Sequence, residues 1–367
     1  MSKAAELAKW GEVSTNGQVS GRRNIVINGA MNVAQRSASV TGLGGNQTYS
    51  TVDRFRQNTA NTAGRFTMTQ TADGPSGFAN CMKLDCTTAD TSIAAGEVGI
   101  IQYKIEGQDV QQIKKGTSDA EKVNVSFYVK GNANATYVCE LEDVDNSRIN
   151  TQAFNVTTSW TRVVLTFAAD TTGALDDDNA ESLALNIWLH AGSTYSGGTF
   201  SSNTWASKTN ANRAAGITSF FDSTDRTFFL TGLQMEVGSV ATPFEHRSFG
   251  EELQLCNRYF TELNISSTDS FTHISTGIMG VYNSATSGLL RYFFPVQMRA
   301  VPTLSFDALS SFDIEPFDVA PSAIASGSGT TKALTIVVTD PSSRTTGFAF
   351  MLTIDTTTGY IRFDSEL

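Results

Sequence analysis

The stretch 231-TGLQMEVGSVATPFEHRSFGEELQLCNRYF-260 changes period midway. Leu233, Met235 and Val237 alternate with polar neighbours, the pattern of a strand with one buried face. Thr242–Pro243 then marks a loop. Beyond it, Leu253, Cys256 and Phe260 recur at spacings of three and four, which puts them on one helix face. Ser248 and Glu251 have capping-box spacing, and Glu251 and Glu252 suit the positive end of a helix. The local pattern thus joins a strand to a capped helix two-thirds of the way along the chain.

Period-two alternation dominates on both sides. Val123, Val125, Phe127 and Val129 form one set, Val163, Leu165 and Phe167 a second, and Leu183, Leu185, Ile187 and Leu189 a third. Phe229, Leu233, Met235 and Val237 complete the upstream pattern. Downstream, 289-LLRYFFPV-296, 334-LTIVVTD-340, 347-GFAFMLTI-354 and 360-YIRFD-364 read as strands, and 320-APSAIASGSGTT-331 as a loop. Sustained alternation without intervening helical patterns predicts antiparallel sheets. The fold expected is all-β: a jelly-roll β-sandwich over residues 22–248, then, over residues 249–367, a short connecting helix and a second, smaller C-terminal β-sandwich. Residues 1–21 read as a helix over 2–10 and a linker. That helix is an attachment element, with Leu7 and Trp10 as its apolar contacts, or else a frayed terminus.

Composition narrows the function. Asp plus Glu number 36 against 26 Lys plus Arg, for a net charge of -10. This argues against a nucleic-acid backbone, which needs clustered cations. The 4 cysteines, Cys81, Cys86, Cys139 and Cys256, include no C-x-x-C and read as buried thiols rather than zinc ligands. The first residues lack the apolar core of an export signal, and no apolar run is long enough to span a membrane. Catalytic patterns are missing: no G-x-S-x-G, and no carboxylate pair singled out by spacing. No enzyme activity and no cofactor are expected, since 42-GLGGN-46 reads as a turn. Asp176, Asp177 and Asp178 have the oxygen chemistry of a calcium site but not EF-hand spacing, and a solvated loop is the stronger reading.

Binding has a better candidate. On the 183–190 strand, Asn186, Trp188 and His190 alternate away from the leucines. The following segment, 190-HAGSTYSGGTFSSNTWASKTNANR-213, carries Tyr195, Phe200 and Trp205 among small polar residues. Rings beside Asn and Ser suit a pyranose, whose CH face stacks while its hydroxyls are hydrogen-bonded. The alternative is that Trp188 is covered by the loop. Tyr282, Tyr292, Phe293 and Phe294 are aromatic candidates further on; Phe293 and Phe294 point to opposite faces, so at least one is core.

Two passages resemble the signature segments of bacteriophage tail fibre or receptor-binding virion proteins. In that family the pattern is NxxxNGxMxxxQR with a later Tyr and DR[WF], then QxEVGxxATPFExR and a helix ending C-x-R-Y. Here Asn24, Asn28, Gly29, Met31, Gln35, Arg36, Tyr49, Asp53, Arg54 and Phe55 fill the first. Gln234, Glu236, Val237, Gly238, Pro243, Phe244, Glu245, Arg247, Cys256, Arg258 and Tyr259 fill the second. The strands between them are similar, less specifically, to jelly-roll carbohydrate-binding modules. The resemblance implies a virion protein made in the host cytoplasm, a homotrimer held to other virion proteins through its N-terminus, and host attachment through a cell-surface glycan. A capsid decoration or vertex fibre is the alternative, and a polysaccharide depolymerase the third. Within it, Glu245, His246 and Arg247 become junction residues, and Leu253, Cys256 and Phe260 pack at a threefold axis or on their own sandwich.

Overall fold

The computed structural model describes residues 22–264 and 274–367, together with Lys3; Leu7 and Trp10 of the expected attachment helix lie outside the described residues. The chain divides into one unit that runs to Glu252 and includes Leu367, and another over Leu253–Glu366.

The first unit has thirteen strands: β1 (Ser39–Leu43), β2 (Gln47–Tyr49), β3 (Arg56–Ala60), β4 (Arg65–Thr71), β5 (Cys81–Thr88), β6 (Val98–Glu106), β7 (Val123–Gly131), β8 (Ala135–Asp143), β9 (Arg148–Val156), β10 (Thr161–Phe167), β11 (Glu181–Ala191), β12 (Ala206–Ser207) and β13 (Thr227–Val237). They form a six-stranded sheet, β1-β4-β5-β13-β7-β10, and a seven-stranded sheet, β12-β9-β8-β11-β6-β3-β2. This is a jelly-roll sandwich. The alternating residues of both sheets meet in one core that includes Met68, Leu84, Val125, Phe127, Tyr137, Leu185, Ile187 and Met235. Burying such side chains is the main stabilising term, about 1.5–3 kcal/mol each.

Two bulges change which residues face that core. On β13 the register slips between Thr231 and Gln234. Gly232 sits there at φ 61°, and a Cβ on it would lie 2.7 Å from the Phe78 ring and 2.9 Å from that of Tyr128. One extra residue reverses alternation. Leu230 and Leu233 therefore both face inward. Phe229, expected in phase with Leu233, lies instead against Trp160, 6.1 Å between centroids. The second bulge, between Trp188 and His190 on β11, bears on the candidate site.

The signature residues interlock. Residues 23–29 run beside β13: Ile25 N donates to Met235 O at 2.9 Å and Leu233 N to Gly29 O at 2.9 Å. The Asn24 side chain accepts from Val26 N and Met235 N, both at 3.0 Å, and donates to Leu233 O at 3.2 Å. A Cβ on Gly29 would stand 2.0 Å from Leu233 O, so only glycine permits this approach. Glu245 Oε2 accepts from the amides of Arg23 and Asn24, both at 2.7 Å. Arg247 donates to the carbonyls of Asn24 and Val26, and pairs with Glu252 at 3.3 Å. Glu252 accepts from Asn28 N, whose side chain also ties down Val33 and Asp53. Asp53 holds Gln35, and Glu236 holds Thr242 and Gln234. The bonds that Glu245 and Arg247 make here all lie within the first unit. His246 is exposed and packs edge-on to Phe244, 4.9 Å between centroids.

Two α-helices are described, α1 (Ser193–Ser196) and α2 (Phe249–Asn257). Ser248 Oγ accepts from Glu251 N at 3.3 Å, the cap expected from the sequence. Cys256 is buried and Leu253 half-buried on α2, whereas Phe260, expected on the same helix face, is buried as the first residue of the strand that follows, because the helix ends at Asn257. All four cysteines are free and buried, and burial pushes the Cys81 and Cys86 thiols up to about 11.

The second unit carries β14 (Phe260–Asn264), β15 (Ile274–Tyr282), β16 (Ser287–Phe293), β17 (Thr303–Phe306), β18 (Phe312–Glu315), β19 (Ala323–Gly329), β20 (Ala333–Thr339), β21 (Ala349–Ile354) and β22 (Tyr360–Asp364). The sheets are β14-β22-β17 and β18-β21-β15-β16-β20-β19. Leu290, Ile336, Leu352 and Phe363 lie in its core. The expected 320–331 loop contains β19. As an edge strand with both faces largely exposed, β19 has no need of alternating apolar residues. Tyr282 and Phe294 are buried and Tyr292 stacks on Phe363 at 4.8 Å, whereas Phe293 is exposed.

Asn24→Ala removes three buried bonds at once. It is expected to cost about 1–3 kcal/mol, read as a lower urea midpoint; an unchanged midpoint removes Asn24 from the lock.

Candidate functional site

The outer face of the seven-stranded sheet carries Asn186 and Trp188, two of the residues that sequence selected. Asn186 pairs in register with Gln102 of β6 and Glu140 of β8. Because side chains at one register level share a face, a polar row crosses the sheet. Arg56 donates to Gln102 at 2.9 Å, Gln102 to Asn186 at 2.9 Å, and Asn186 to Glu140 at 2.8 Å. Arg213, from the segment after β11, closes the row with bonds to Glu140 and Glu142, and Lys208 reaches Glu142 at 3.0 Å. Burial alone would raise the Glu142 pKa; Arg213 and Lys208 outweigh it and hold the carboxyl below its ordinary range. Burial opposes the Arg213 charge, but Glu140 and Glu142 outweigh it and raise the Arg213 pKa. A carboxylate held ionised in this way does not serve as a general acid.

One level along, Trp188 is fully buried: the loop covers it, as one of the two readings of the sequence has it, and it offers no open platform. The 192–217 segment folds over the face, and Trp188 lies between Tyr195, 5.5 Å away, and the Arg213 guanidinium, 4.9 Å from its ring. Val98, Ile100, Val138 and Ala214 complete this apolar patch, with Tyr195 and Phe200 partly buried against it. The segment is not structureless: it contains α1, β12 and a 3-10 turn at Asn210–Asn212.

His190 is not on the Trp188 face. The bulge beside it turns the imidazole inward, where it meets Phe221 at 5.1 Å. Its Nε2 lies 2.7 Å from Glu97 and its Nδ1 2.8 Å from Ser219 Oγ. The residue types match a hydrolytic triad, yet the adjoining cavity of about 10 Å³ is too small for a substrate. The three groups act as a buried clamp. No spacing announces them, since Glu97 is 93 residues from His190.

Trp205 also has a different place. Its Nε1 donates to Ala168 O at 2.7 Å, and its ring lies over the Lys115 ammonium at 5.2 Å. Lys115 Nζ sits in an oxygen cage: Asp143 at 2.5 Å, Asp170 at 3.0 Å, Thr172 O at 2.7 Å and Gly173 O at 2.9 Å. Two carboxylates and two carbonyls are hard-cation chemistry, met here by the chain's own ammonium. Asp176, Asp177 and Asp178, which have the oxygen chemistry of a calcium site, are exposed; the Asp178 carboxylate accepts from Ala180 N. Among the described residues no group of three or more His, Cys, Asp or Glu is arranged to hold a metal.

What remains accessible is a shelf beside the covered patch. Arg56 is half-buried, Gln47 is exposed, and Lys104 pairs with Glu181 at 2.7 Å. Tyr195 and Phe200 are partly exposed at the loop end. Fixed donors and acceptors at one end and rings at the other can hold a ligand with an apolar face and many hydroxyls.

No known family model and no curated protein matches the sequence. Solved structures similar to the chain include a putative sugar binding protein from Bacteroides thetaiotaomicron (11% identity, 59% of this chain and 100% of that one, TM-score 0.34). Another is a xylan-binding domain from Paenibacillus barcinonensis (12%, 60% and 100%, 0.29). A third is a family 11 carbohydrate-binding module from Clostridium thermocellum (10%, 57% and 100%, 0.27). At such scores the fold assignment rests on the strand order above, and no ligand follows.

Lys115→Met leaves Asp143 and Asp170 without their shared cation and is expected to cost about 3–5 kcal/mol. Burial alone would raise the Asp170 pKa, but bonds from Arg148 and Lys115 outweigh it and hold it below the ordinary value. That contribution is present above the unfolded pKa, about 3.9, and is lost as pH falls through the lower folded value. Urea titrations across this range should show a shallower acid loss in Lys115→Met than in wild type; equal slopes contradict the assignment.

Proposed function

We propose that this chain is a phage virion protein, a tail fibre subunit that attaches to the host by non-enzymatic recognition of a cell-surface glycan. The observation that carries the glycan reading is the accessible shelf of the seven-stranded sheet. There half-buried Arg56 is held by bonds to buried Gln102 and exposed Gln47, and Tyr195 and Phe200 stay partly exposed. Planar polar groups held in place lose little entropy on meeting hydroxyls, and a ring edge offers a stacking surface. The virion reading rests on the two signature passages. Their residues interlock inside the first unit, which fits a scaffold whose sequence is constrained by folding rather than by chemistry. The buried clamp at His190 and the Glu142 carboxylate, held ionised by Arg213 and Lys208, support a binding role over polysaccharide cleavage.

Purified protein is expected to retain host surface polysaccharide and to compete with phage for adsorption. Tyr195→Ala and Arg56→Ala should each weaken retention about tenfold, or 1.4 kcal/mol, while circular dichroism shows the fold retained. Trp205→Ala should instead lower the melting temperature. Failure to retain any host glycan overturns the reading, and release of oligosaccharides overturns its non-enzymatic part.

A further inference from the structure

The second unit exposes an apolar face that nothing above uses. Met279 of β15 is 69% exposed, Val281 50%, Leu289 of β16 38% and Met351 of β21 38%. Register shows that they are contiguous. Met279 pairs with Met351, Val281 with Ala349, and Val281 with Leu289. Side chains at paired positions share a face, so these residues form two adjoining rows on one side of the sheet. Along the β18 side they border a groove of about 490 Å³ lined by Met279, Glu315, Pro316 and Met351. Contiguous apolar surface of this kind marks an interaction site.

The charges at its two sides indicate the occupant. Glu315 pairs with Met351, and continuing the β15–β16 register places Arg291 beside Met279. One row therefore reads Glu315, Met351, Met279, Arg291 across four adjacent strands. Neighbouring strands are about 4.8 Å apart, so the two charges stand about 14 Å from each other. The Glu315 side is crowded with negative charge: burial, then Asp355, Asp318 and Glu315, hold the Asp313 pKa above its ordinary value. Arg291 is exposed on the opposite side, bonded to Thr335 at 3.0 Å.

We propose that this face docks a second copy of the same chain. A twofold axis parallel to the strands and midway between β21 and β15 superposes the row on its own reverse. Met351 of one copy then meets Met279 of the other, and Glu315 meets Arg291 twice. A surface that is its own complement in both apolar pattern and charge fits an isologous contact. A partner of unrelated sequence would need to match both features independently.

Sedimentation of the full chain tests this without reference to any glycan. Wild type is expected to show a concentration-dependent mass above one chain, and Val281→Glu to halve it while circular dichroism and melting stay unchanged. Glu315→Arg and Arg291→Glu should each weaken association, and the double exchange should restore it. A wild-type mass of one chain at every concentration overturns the proposal and leaves the face to another occupant. So does a mass that Val281→Glu leaves unchanged, or a double exchange that fails to restore association.

Discussion

The first unit depends on a buried exchange of hydrogen bonds between residues 23–29, the end of β13 and the loop that follows it. Backbone amides of an irregular segment inside a protein must find partners, because an unsatisfied buried group costs about 1–3 kcal/mol. Asn24, Glu245 and Arg247 supply those partners from positions 209 or more residues apart. The sandwich is closed by polar side chains acting on backbone where a further strand would otherwise pair. This explains why the two passages that stand out in the sequence hold one structure together.

Bulges have a comparable influence on the site. A single inserted residue on β11 separates His190 from Trp188, sending one inward and leaving the other under the loop. A second on β13 places Phe229 outside the core and lets the Phe78 and Tyr128 rings approach bare backbone at Gly232. Strand faces are assigned by counting in twos, so one extra residue reverses every assignment beyond it. Gly232 inside an apolar strand was a readable sign of one bulge. β11 offers no such sign, since no glycine or proline interrupts 183–191.

Several ionisable groups that suggest chemistry serve structure. The Lys115 cage, the His190 clamp and the Arg213 bridge each bury charged or titratable groups among complete sets of partners. Long segments become fixed when their polar groups are used in this way. The residues after β11 carry α1 and β12 rather than hanging free, because Arg213, Lys208 and Trp205 are all anchored to the sheet or its adjoining loops.

The sequence by itself determined the all-β class, the alternating core strands, the capped helix after β13 and the buried cysteines, because each is set by short-range periodicity or a local cap. It also singled out Asn186, Trp188, His190, Tyr195 and Trp205 as binding residues. Only the tertiary structure decided what they do. Whether a tryptophan is a platform or a floor depends on how a distant loop folds over it, and whether a glutamate is an acid or a strut depends on which arginine it meets. Those pairings join residues tens to hundreds of positions apart, and no local pattern encodes them.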